Sequence, residues 1–262
     1  MLPAAATLAQ VASTYCDLWP EVDVLLAESV VLVDVPTDGW TEGQDLTDDL
    51  PAGVTDVVSA IGEMGVVRVE CSDRYMTNGD WIAIPVTMHY GDGAVEEGLW
   101  SLQISPEGLL YWQFIFASPS DSEAQQTERG IEVAAGEFCG LFEGTGERDP
   151  EAIIGAMAKN PAIHNIINKR HYVGQDAVEA MVPQYLPEER ITCGSILTNG
   201  DWSANGWALD NEGLNIHLVG LTVQKHTDDR IERQYVTVTQ LTGATPWGDY
   251  IWGADAAGRS DQ

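Results

Sequence analysis

The pentapeptide Thr77-Asn78-Gly79-Asp80-Trp81 (TNGDW) occurs a second time, at residues 198–202. The second copy begins 121 residues after the first, a distance close to half of the 262-residue chain. Asn-Gly permits the positive φ values of a tight hairpin turn, and each Trp would begin the strand that follows. We therefore predict that TNGDW is a hairpin corner in a duplicated fold rather than a catalytic signature.

The register of this repeat extends beyond the pentapeptide. At the same offset the two halves align without a gap from residue 52 to residue 116. The matched pairs include Gly53/Gly174, Val57/Val178, Gln103/Gln224, Gln113/Gln234 and Phe114/Tyr235. Upstream, VASTYCDLW (11–19) resembles VAAGEFCGLF (133–142), which aligns Cys16 with Cys139. Two long copies predict a tandem pair of domains rather than a repeat array.

Composition places the domain boundaries. The predicted first domain covers 1–118, a polar linker covers 119–130, the second domain covers 131–243, and a tail covers 244–262. The linker sequence is poor in apolar residues and contains Pro, as is typical of a connection between domains.

Both domains show the same order of predicted elements. An amphipathic helix comes first, at Ala4–Leu18 and at Ile131–Phe142, and in the first copy a short helix (Val22–Ala27) and an apolar strand (30–36) follow. A helix led by Gly53 or Gly174 then precedes several β-rich runs joined by Asn-Gly and Asp-Gly turns. This order predicts an α+β fold in which a curved antiparallel sheet wraps over helices and encloses a cone-shaped cavity.

The charge and the cysteines bound the functional classes. A net charge of −29, from 41 acidic and 12 basic residues, would repel nucleic acid and anionic lipid, so neither is expected as a partner. The four cysteines and five histidines show no metal-ligand spacing, and we predict no metal site. Cysteines this scattered in a chain of this size are expected to be core thiols in a reducing cytoplasm. The expected partner is a hydrophobic small molecule, and a homodimer is left open.

The order of helix, helix, strand ending in Asp-x-Pro, loop, Gly-led helix and meander resembles the NTF2-like superfamily. Within it, the sequence looks like the SnoaL-like and ketosteroid-isomerase-like enzymes, and the resemblance covers both copies. Two such domains in one chain look like the epoxide hydrolase/cyclases of polyether biosynthesis. The resemblance implies two tandem NTF2-like cone-shaped domains and acid–base chemistry without a cofactor.

The resemblance assigns candidate catalytic roles to three residues. Asp34, at the end of VVLVDVP, matches the general base, and an apolar cavity would raise its pKa toward useful values. Tyr15 matches the helix-one tyrosine that donates to an oxyanion. Glu70, in VVRVECSD, matches the second acid of the epoxide-opening relatives. Each has a structural alternative: a loop cap for Asp34, a core tyrosine for Tyr15, and the solvent face of a strand for Glu70.

Four further residues are candidates for substrate binding. Trp100 falls where the isomerases hold a protonated Asp, so an indole N–H would replace an acid and a literal steroid-isomerase activity is disfavoured. Glu97 and His89 are expected near the cavity, although a lone His is more often structural. Trp40 lies in an acidic loop (36–50) that follows Asp34 and could close over a ligand, or could be a plain surface loop.

The second copy has lost the three candidate catalytic groups. Tyr15 corresponds to Phe138, Asp34 to Asn165 and Glu70 to Ile191 in the predicted alignment. The first cavity is therefore expected to carry the chemistry, with the second domain as a structural partner or as a site for product or effector. The polar cluster His164, Asn165, Asn168 and His171 is either a solvated loop or a site for a different reaction.

The function predicted from sequence is acid–base catalysis on a hydrophobic polyketide or terpenoid. Epoxide opening, as hydrolysis or cyclisation, is the preferred reaction, with Asp34 as base, Glu70 as acid and Tyr15 as donor. Double-bond isomerisation or another cyclisation is the alternative within enzymes. A non-catalytic tandem domain that binds a small molecule or a partner is the alternative outside them.

Overall fold

The structure is a computed structural model that describes residues 5–35, 50–118, 128–165 and 170–239. The first domain contains two helices and six strands, α1 (Ala5–Leu18), β1 (Leu26–Val35), α2 (Val54–Glu63), β2 (Val66–Cys71), β3 (Met76–Asn78), β4 (Trp81–Tyr90), β5 (Val95–Ile104) and β6 (Leu110–Ser118). The strands form one sheet in the order β1-β6-β5-β4-β2, and β3 pairs with β4. Only β1 and β6 run parallel, whereas the other neighbours are antiparallel.

The second domain repeats this arrangement. Its elements are α3 (Glu128–Gly140), α4 (Pro150–Gly155), β7 (Met157–Asn165), β8 (Arg170–Val173), α5 (Gln175–Met181), β9 (Arg190–Asn199), β10 (Trp202–Asn211), β11 (Ile216–Thr227) and β12 (Arg230–Val236). The sheet order is β8-β7-β12-β11-β10-β9, and β7 runs parallel to β12. Two curled sheets with few helices confirm the predicted α+β class. None of the helices among the described residues is long and apolar enough to cross a bilayer.

The helices form where apolar residues recur at helical spacing. In α1 the buried side chains Leu8, Ala12, Tyr15 and Cys16 share one face, which packs into the concave side of the first sheet. The short helix predicted at Val22–Ala27 is instead a single 3₁₀ turn at Asp23–Leu25. Leu26 already pairs with Leu110, so β1 begins four residues before the strand predicted at 30–36.

The buried residues form three clusters. One cluster fills the first cone between α1, α2 and its sheet, and a second fills the second cone. The third lies between the two sheets and includes Phe114, Phe116, Leu197, Leu221 and Tyr235. The domains therefore pack through the outer faces of their sheets, and the central strands of each sheet are buried on both sides.

TNGDW lies at this interface in both copies. The indole Nε1 of Trp81 donates to the carbonyl of Val238 over 3.1 Å, and Nε1 of Trp202 donates to the carbonyl of Ala117 over 3.1 Å. The Nδ2 of Asn78 donates to the carbonyls of Trp207 and Gly220, both at 2.7 Å.

The matching donor in the second copy is Asn199, whose Nδ2 donates to the carbonyls of Val86 and Gly98 over 3.2 and 2.8 Å. These bonds are reciprocal, which gives the pair an internal two-fold relation. The pentapeptide is thus the hairpin corner predicted from sequence and also a cross-domain clamp, a role the sequence analysis did not foresee.

Strand pairing corrects the gap-free register between the halves. Trp100 pairs with Ile84 and Ile115, and the residue in the same place of the second sheet is Thr222, which pairs with Asn205 and Val236. The shift arises because the β10–β11 connection is one residue longer: Asp210 pairs with His217, whereas His89 pairs with Val95. The β11–β12 turn is one residue shorter and restores the offset.

The same correction applies to β2 and β9. Cys71 pairs with Val86, and Cys193 pairs with Trp207, so Glu70 corresponds to Thr192 and not to Ile191. The second copy is then one residue shorter before TNGDW: Cys71 and Met76 face Val86 and Ala83, whereas Cys193 and Leu197 face Trp207 and Ala204. By contrast, the alignment of Asp34 with Asn165 is confirmed, since Asp34 pairs with Ile115 and Asn165 with Val236.

The cysteines are not free thiols, and that expectation was wrong. Cys16 is bonded to Cys71 and Cys139 to Cys193, so a disulfide in each copy ties the first helix to the sheet. The two bonds occupy equivalent places, which also confirms the alignment of Cys16 with Cys139. Spacing could not reveal these pairs, because the partners lie 55 and 54 residues apart in sequence. Disulfides persist mainly in oxidising compartments, so the cysteines no longer support the predicted location in a reducing cytoplasm.

Candidate functional site

The interior of the first cone contains a buried cluster built around Tyr15. Helix α1 directs this side chain toward β6, where its hydroxyl donates to the Oε1 of Gln113 over 2.5 Å. The tyrosine ring meets the rings of Trp19 and Trp100 edge to face, with centroids 5.9 Å apart in both cases. All four side chains are buried.

Two N–H donors of this cluster have no hydrogen-bond partner within the described part of the chain. They are the Nε2 of Gln113 and the indole Nε1 of Trp100. An unpaired buried donor is costly, and such groups are often reserved for a ligand. Burial raises the pKa of Tyr15 well above its usual value, and the hydrogen bond with Gln113 opposes this only in part. The phenol therefore stays protonated and can donate at physiological pH.

Asp34 lies in the same row of the sheet as this cluster. Its backbone pairs with Ile115, which pairs with Trp100 on the other side. Leu32, two residues earlier on β1, packs in the core of the first cone. The side chain of Asp34 and the whole of Trp40 lie outside the described residues.

Glu70 is not in the cone. Along β2 the side chains of Val66 and Val69 enter the core, whereas Arg68 and Glu70 lie on the other face of the sheet. The carboxylate of Glu70 is 54% exposed and forms an ion pair with Arg68. The Nε2 of His89 lies 3.3 Å from the same carboxylate. Strand alternation therefore places Glu70 and His89 in a surface ion-pair cluster rather than beside Tyr15.

Glu97 is also exposed, opposite Thr87 on the neighbouring strand. It precedes Trp100 by an odd number of residues, so alternation directs the two side chains to opposite faces of β5. Of the predicted substrate-binding residues that the structure describes, Trp100 alone contacts Tyr15.

Gln113 is the residue of this cluster that the sequence analysis noted only as a repeat marker. A signal was present: it is the single amide in the otherwise apolar run LLYWQFIF, and the second copy keeps it as Gln234. A polar residue in a core strand needs a partner when buried. Tyr15 supplies that partner in the first copy.

The second cone has a different interior, because several of its residues differ from those in the first, among them Trp207 in place of Val86. Tyr15 is replaced by Phe138, Trp19 by Phe142, Trp100 by Thr222 and Ile84 by Asn205. The space left by the missing indole is a cavity of about 60 Å³, enough for roughly four to six waters. Phe138, Phe142, Tyr185, Asn205, Trp207 and Gln234 are among its lining residues.

Three buried polar atoms of residues that line this cavity have no partner within the described residues. They are the Oδ1 of Asn205, the Nε1 of Trp207 and the Oε1 of Gln234. These side chains belong to residues that are only 2%, 9% and 8% exposed. The lining contains no Asp, Glu, Lys, Arg or His among the described residues, so the cavity is electrically neutral.

The histidine cluster of the second domain lies elsewhere. His164 on β7 and His171 on β8 approach with their Nδ1 atoms 3.0 Å apart, and His164 stacks on Tyr235 at the domain interface. His164 is buried, and that burial, with His171 and Arg233 nearby, lowers its pKa to about 3. It is therefore a neutral core imidazole and not part of a solvated loop. Asn168 lies outside the described residues.

Comparisons with known proteins give likenesses of structure only. No family model matches the chain, and no curated protein matches it. A candidate ketosteroid isomerase from Kribbella flavida DSM 17836 shares 14% identity, with 45% of this chain and 84% of that chain covered and a TM-score of 0.40. A de novo designed protein with a curved β-sheet shares 12% identity, with 44% and 88% covered and a TM-score of 0.36.

An NTF2-like protein of unknown function from Mesorhizobium loti shares 16% identity, with 44% of this chain and 93% of that chain covered and a TM-score of 0.34. Each alignment spans less than half of this chain and most of the other. The natural proteins among these structural neighbours are NTF2-like or ketosteroid-isomerase-like, the superfamily that the sequence resembles.

Proposed function

We propose that the first cone is a cofactor-independent proton-transfer site for a small, mainly apolar carbonyl compound. The observation that carries this proposal is the buried donor cluster: the Tyr15 hydroxyl on Gln113, with the unpaired N–H groups of Gln113 and Trp100 beside it. Donors fixed in an apolar interior are suited to stabilising an oxyanion. The backbone of Asp34 lies in the same row of the sheet as Trp100, and this is the position from which we propose that the base acts.

The proposed reaction is the migration of a double bond. The carboxylate of Asp34 removes a proton from the carbon between the carbonyl and the alkene, and the electron pair moves onto the carbonyl oxygen. The Tyr15 hydroxyl turns its single proton from Gln113 Oε1 to that oxygen, and the indole N–H of Trp100 donates a second hydrogen bond to it. Asp34 then returns the proton at the far carbon of the alkene, so that the product is the conjugated isomer and no oxidant or reductant is consumed.

Epoxide opening is the less supported reaction of the two. It was predicted with Glu70 as the acid, and the ion pair of Glu70 with Arg68 lies on the solvent face of the sheet. Without Glu70, the remaining donor is Tyr15, whose raised pKa makes it a weak acid. Polyketides and terpenoids remain the proposed substrate class because the cone interior is apolar.

Isomerisation of 3-cyclohexen-1-one to its conjugated isomer, followed by ultraviolet absorbance, tests the proposal. Asp34→Asn is expected to lower kcat by about 10²–10⁴-fold, the range of a general base. Tyr15→Phe is expected to lower it by about 10²–10³-fold, as for one oxyanion donor. The second copy already carries Phe at this position, so the fold tolerates the change.

Glu70→Gln is the matched control and should leave turnover unchanged. Unchanged turnover in Asp34→Asn, or turnover abolished in Glu70→Gln, would show that the roles are wrongly assigned. Cyclohexene oxide, assayed in parallel for ring opening, distinguishes the two reactions. Turnover of the epoxide and not of the ketone would replace isomerisation with epoxide opening.

A further inference from the structure

The second cone lacks the Tyr15 hydroxyl and the indoles of Trp19 and Trp100, and it has the Trp207 indole where the first cone has Val86. Tyr15 donates to the Oε1 of Gln113, whereas Phe138 has no hydroxyl, and the Oε1 of Gln234 is left without a partner. The Trp100 indole packs on Tyr15, whereas Thr222 leaves a cavity at that place. The vacant space and the unpaired acceptor are therefore adjacent parts of one site.

We propose that the second cone binds a neutral aromatic alcohol, of the phenol class, in this cavity. The ligand's hydroxyl donates to Gln234 Oε1 or Asn205 Oδ1 and accepts from the Trp207 indole N–H. Its ring occupies the place that the Trp100 indole fills in the first cone, in contact with Phe138 and Phe142. The ligand thus restores the hydroxyl–amide bond and the aromatic packing that the first copy makes from its own residues.

The chemistry of the lining selects against charged ligands. With no Asp, Glu, Lys, Arg or His among its described lining residues, the cavity offers no counter-charge. Burying an unpaired charge is far more costly than burying a neutral hydroxyl that finds an acceptor. A purely apolar ligand would fill the cavity but leave the three polar atoms of Asn205, Trp207 and Gln234 unpaired.

Binding at this site does not depend on the chemistry proposed for the first cone. The Tyr15 cluster and this cavity lie on the concave sides of two sheets that pack through their outer faces. A binding measurement can therefore fail or succeed without any bearing on turnover of a ketone.

The test is titration of the full chain with p-cresol, toluene and p-toluate, with calorimetry and the indole N–H resonance of Trp207 as readouts. We expect one p-cresol site, with at least about tenfold weaker binding of toluene and p-toluate, because each lacks a neutral donor. The Trp207 resonance should shift with p-cresol and be assigned by its loss in Trp207→Phe.

Two variants introduce a residue of the first cone at the equivalent position of the second. Thr222→Trp fills the cavity, and Phe138→Tyr supplies Gln234 with an internal hydroxyl. Each change should weaken the binding of p-cresol by at least about tenfold. Thr55→Trp, at an exposed position on α2, makes the same type of change away from the site and should bind like the wild type.

Three results would overturn the proposal: no p-cresol binding, equal binding of p-toluate, or binding that persists unchanged in both copied variants. If Thr222→Trp does not fold, Asn205→Ile serves in its place, since the first copy has Ile84 there. This change should weaken the binding of p-cresol and leave the binding of toluene unaffected.

Discussion

Single residues decide what each cone can do, because the backbone around them is the same. Gln113 and Gln234 are equivalent, yet one is satisfied by Tyr15 and the other faces Phe138. The exchange of Tyr15 for Phe138 and of Trp100 for Thr222 thus helps to separate a donor cluster from an open neutral cavity. Close packing makes interiors sensitive to changes of this size.

His226 provides a residue-scale prediction about pH. It is 2% exposed, and its Nε2 lies 2.8 Å from the hydroxyl of Ser203. Burial lowers its pKa to about 4, whereas an unfolded histidine titrates near pH 6.5. Between these values the unfolded chain binds more protons, so the stability from neutral His226 is present above pH 6.5 and is lost as pH falls toward 4.

His226→Gln should remove this contribution to the pH dependence. The difference in free energy of unfolding between variant and wild type should change by about 3 kcal/mol, in favour of the variant, from pH 7 to pH 4. Urea denaturation at each pH measures it, and comparison above pH 7 is the internal control. A constant difference across the range would mean that burial does not hold His226 neutral.

At the scale of elements, the β3–β4 hairpin and its counterpart join the two domains. Gly79 has φ +65°, and a Cβ added there would lie 1.9 Å from the Thr239 hydroxyl, so the turn is closed by contact with the other domain. The Asn-Gly pair is thus needed for the turn and for the fit of the turn against the second sheet.

The reciprocal clamp predicts equal effects in the two copies. Asn78→Ala and Asn199→Ala each leave two backbone carbonyls at the interface without their donor. Each change should lower the free energy of unfolding by about 1–3 kcal/mol. Asn160→Ala, at an exposed position on β7, is the control and should change little. Strongly unequal losses would contradict the two-fold relation.

Much of the element order could be predicted from sequence, and the failures have one cause. Asn-Gly and Asp-Gly turns identify the hairpins, and helical spacing identifies α1, because both signals are local. The alignment of β5 with β11 is shifted by one residue, because the turn before β11 is one residue longer and the turn after it is one residue shorter. A gap-free alignment cannot show an insertion that a nearby deletion cancels. A pair of this kind led it to match Glu70 with Ile191 instead of Thr192.

For the whole molecule, the internal two-fold makes equivalent disulfides the main covalent constraint. Cys16–Cys71 and Cys139–Cys193 close loops of nearly equal length, 55 and 54 residues. Chain entropy predicts a similar stabilisation for both, about 2–5 kcal/mol each. The charge of −29 opposes compaction through self-repulsion and is carried by the chain as a whole.

Removing either disulfide should therefore lower the free energy of unfolding by about the same amount. Cys16→Ala with Cys71→Ala, and Cys139→Ala with Cys193→Ala, are each expected to lower the free energy of unfolding by about 2–5 kcal/mol. Mass spectrometry of the non-reduced wild type should show both bonds and no alkylation by iodoacetamide. Four alkylated thiols in the native protein would contradict the pairing.

The sequence by itself determined the duplication, the α+β class, the hairpin corners and the loss of Tyr15 and Asp34 in the second copy. These follow from local periodicity and from residues compared within one chain. Only the tertiary structure decided that Glu70 faces solvent, that the cysteines pair, that TNGDW clamps the two sheets together, and that the neutral cavity lies in the second cone. These features depend on the face of a strand that a side chain occupies and on contacts between residues far apart in sequence. A shift of one residue in strand register moves a side chain to the opposite face, and contacts between distant residues form only when the chain folds.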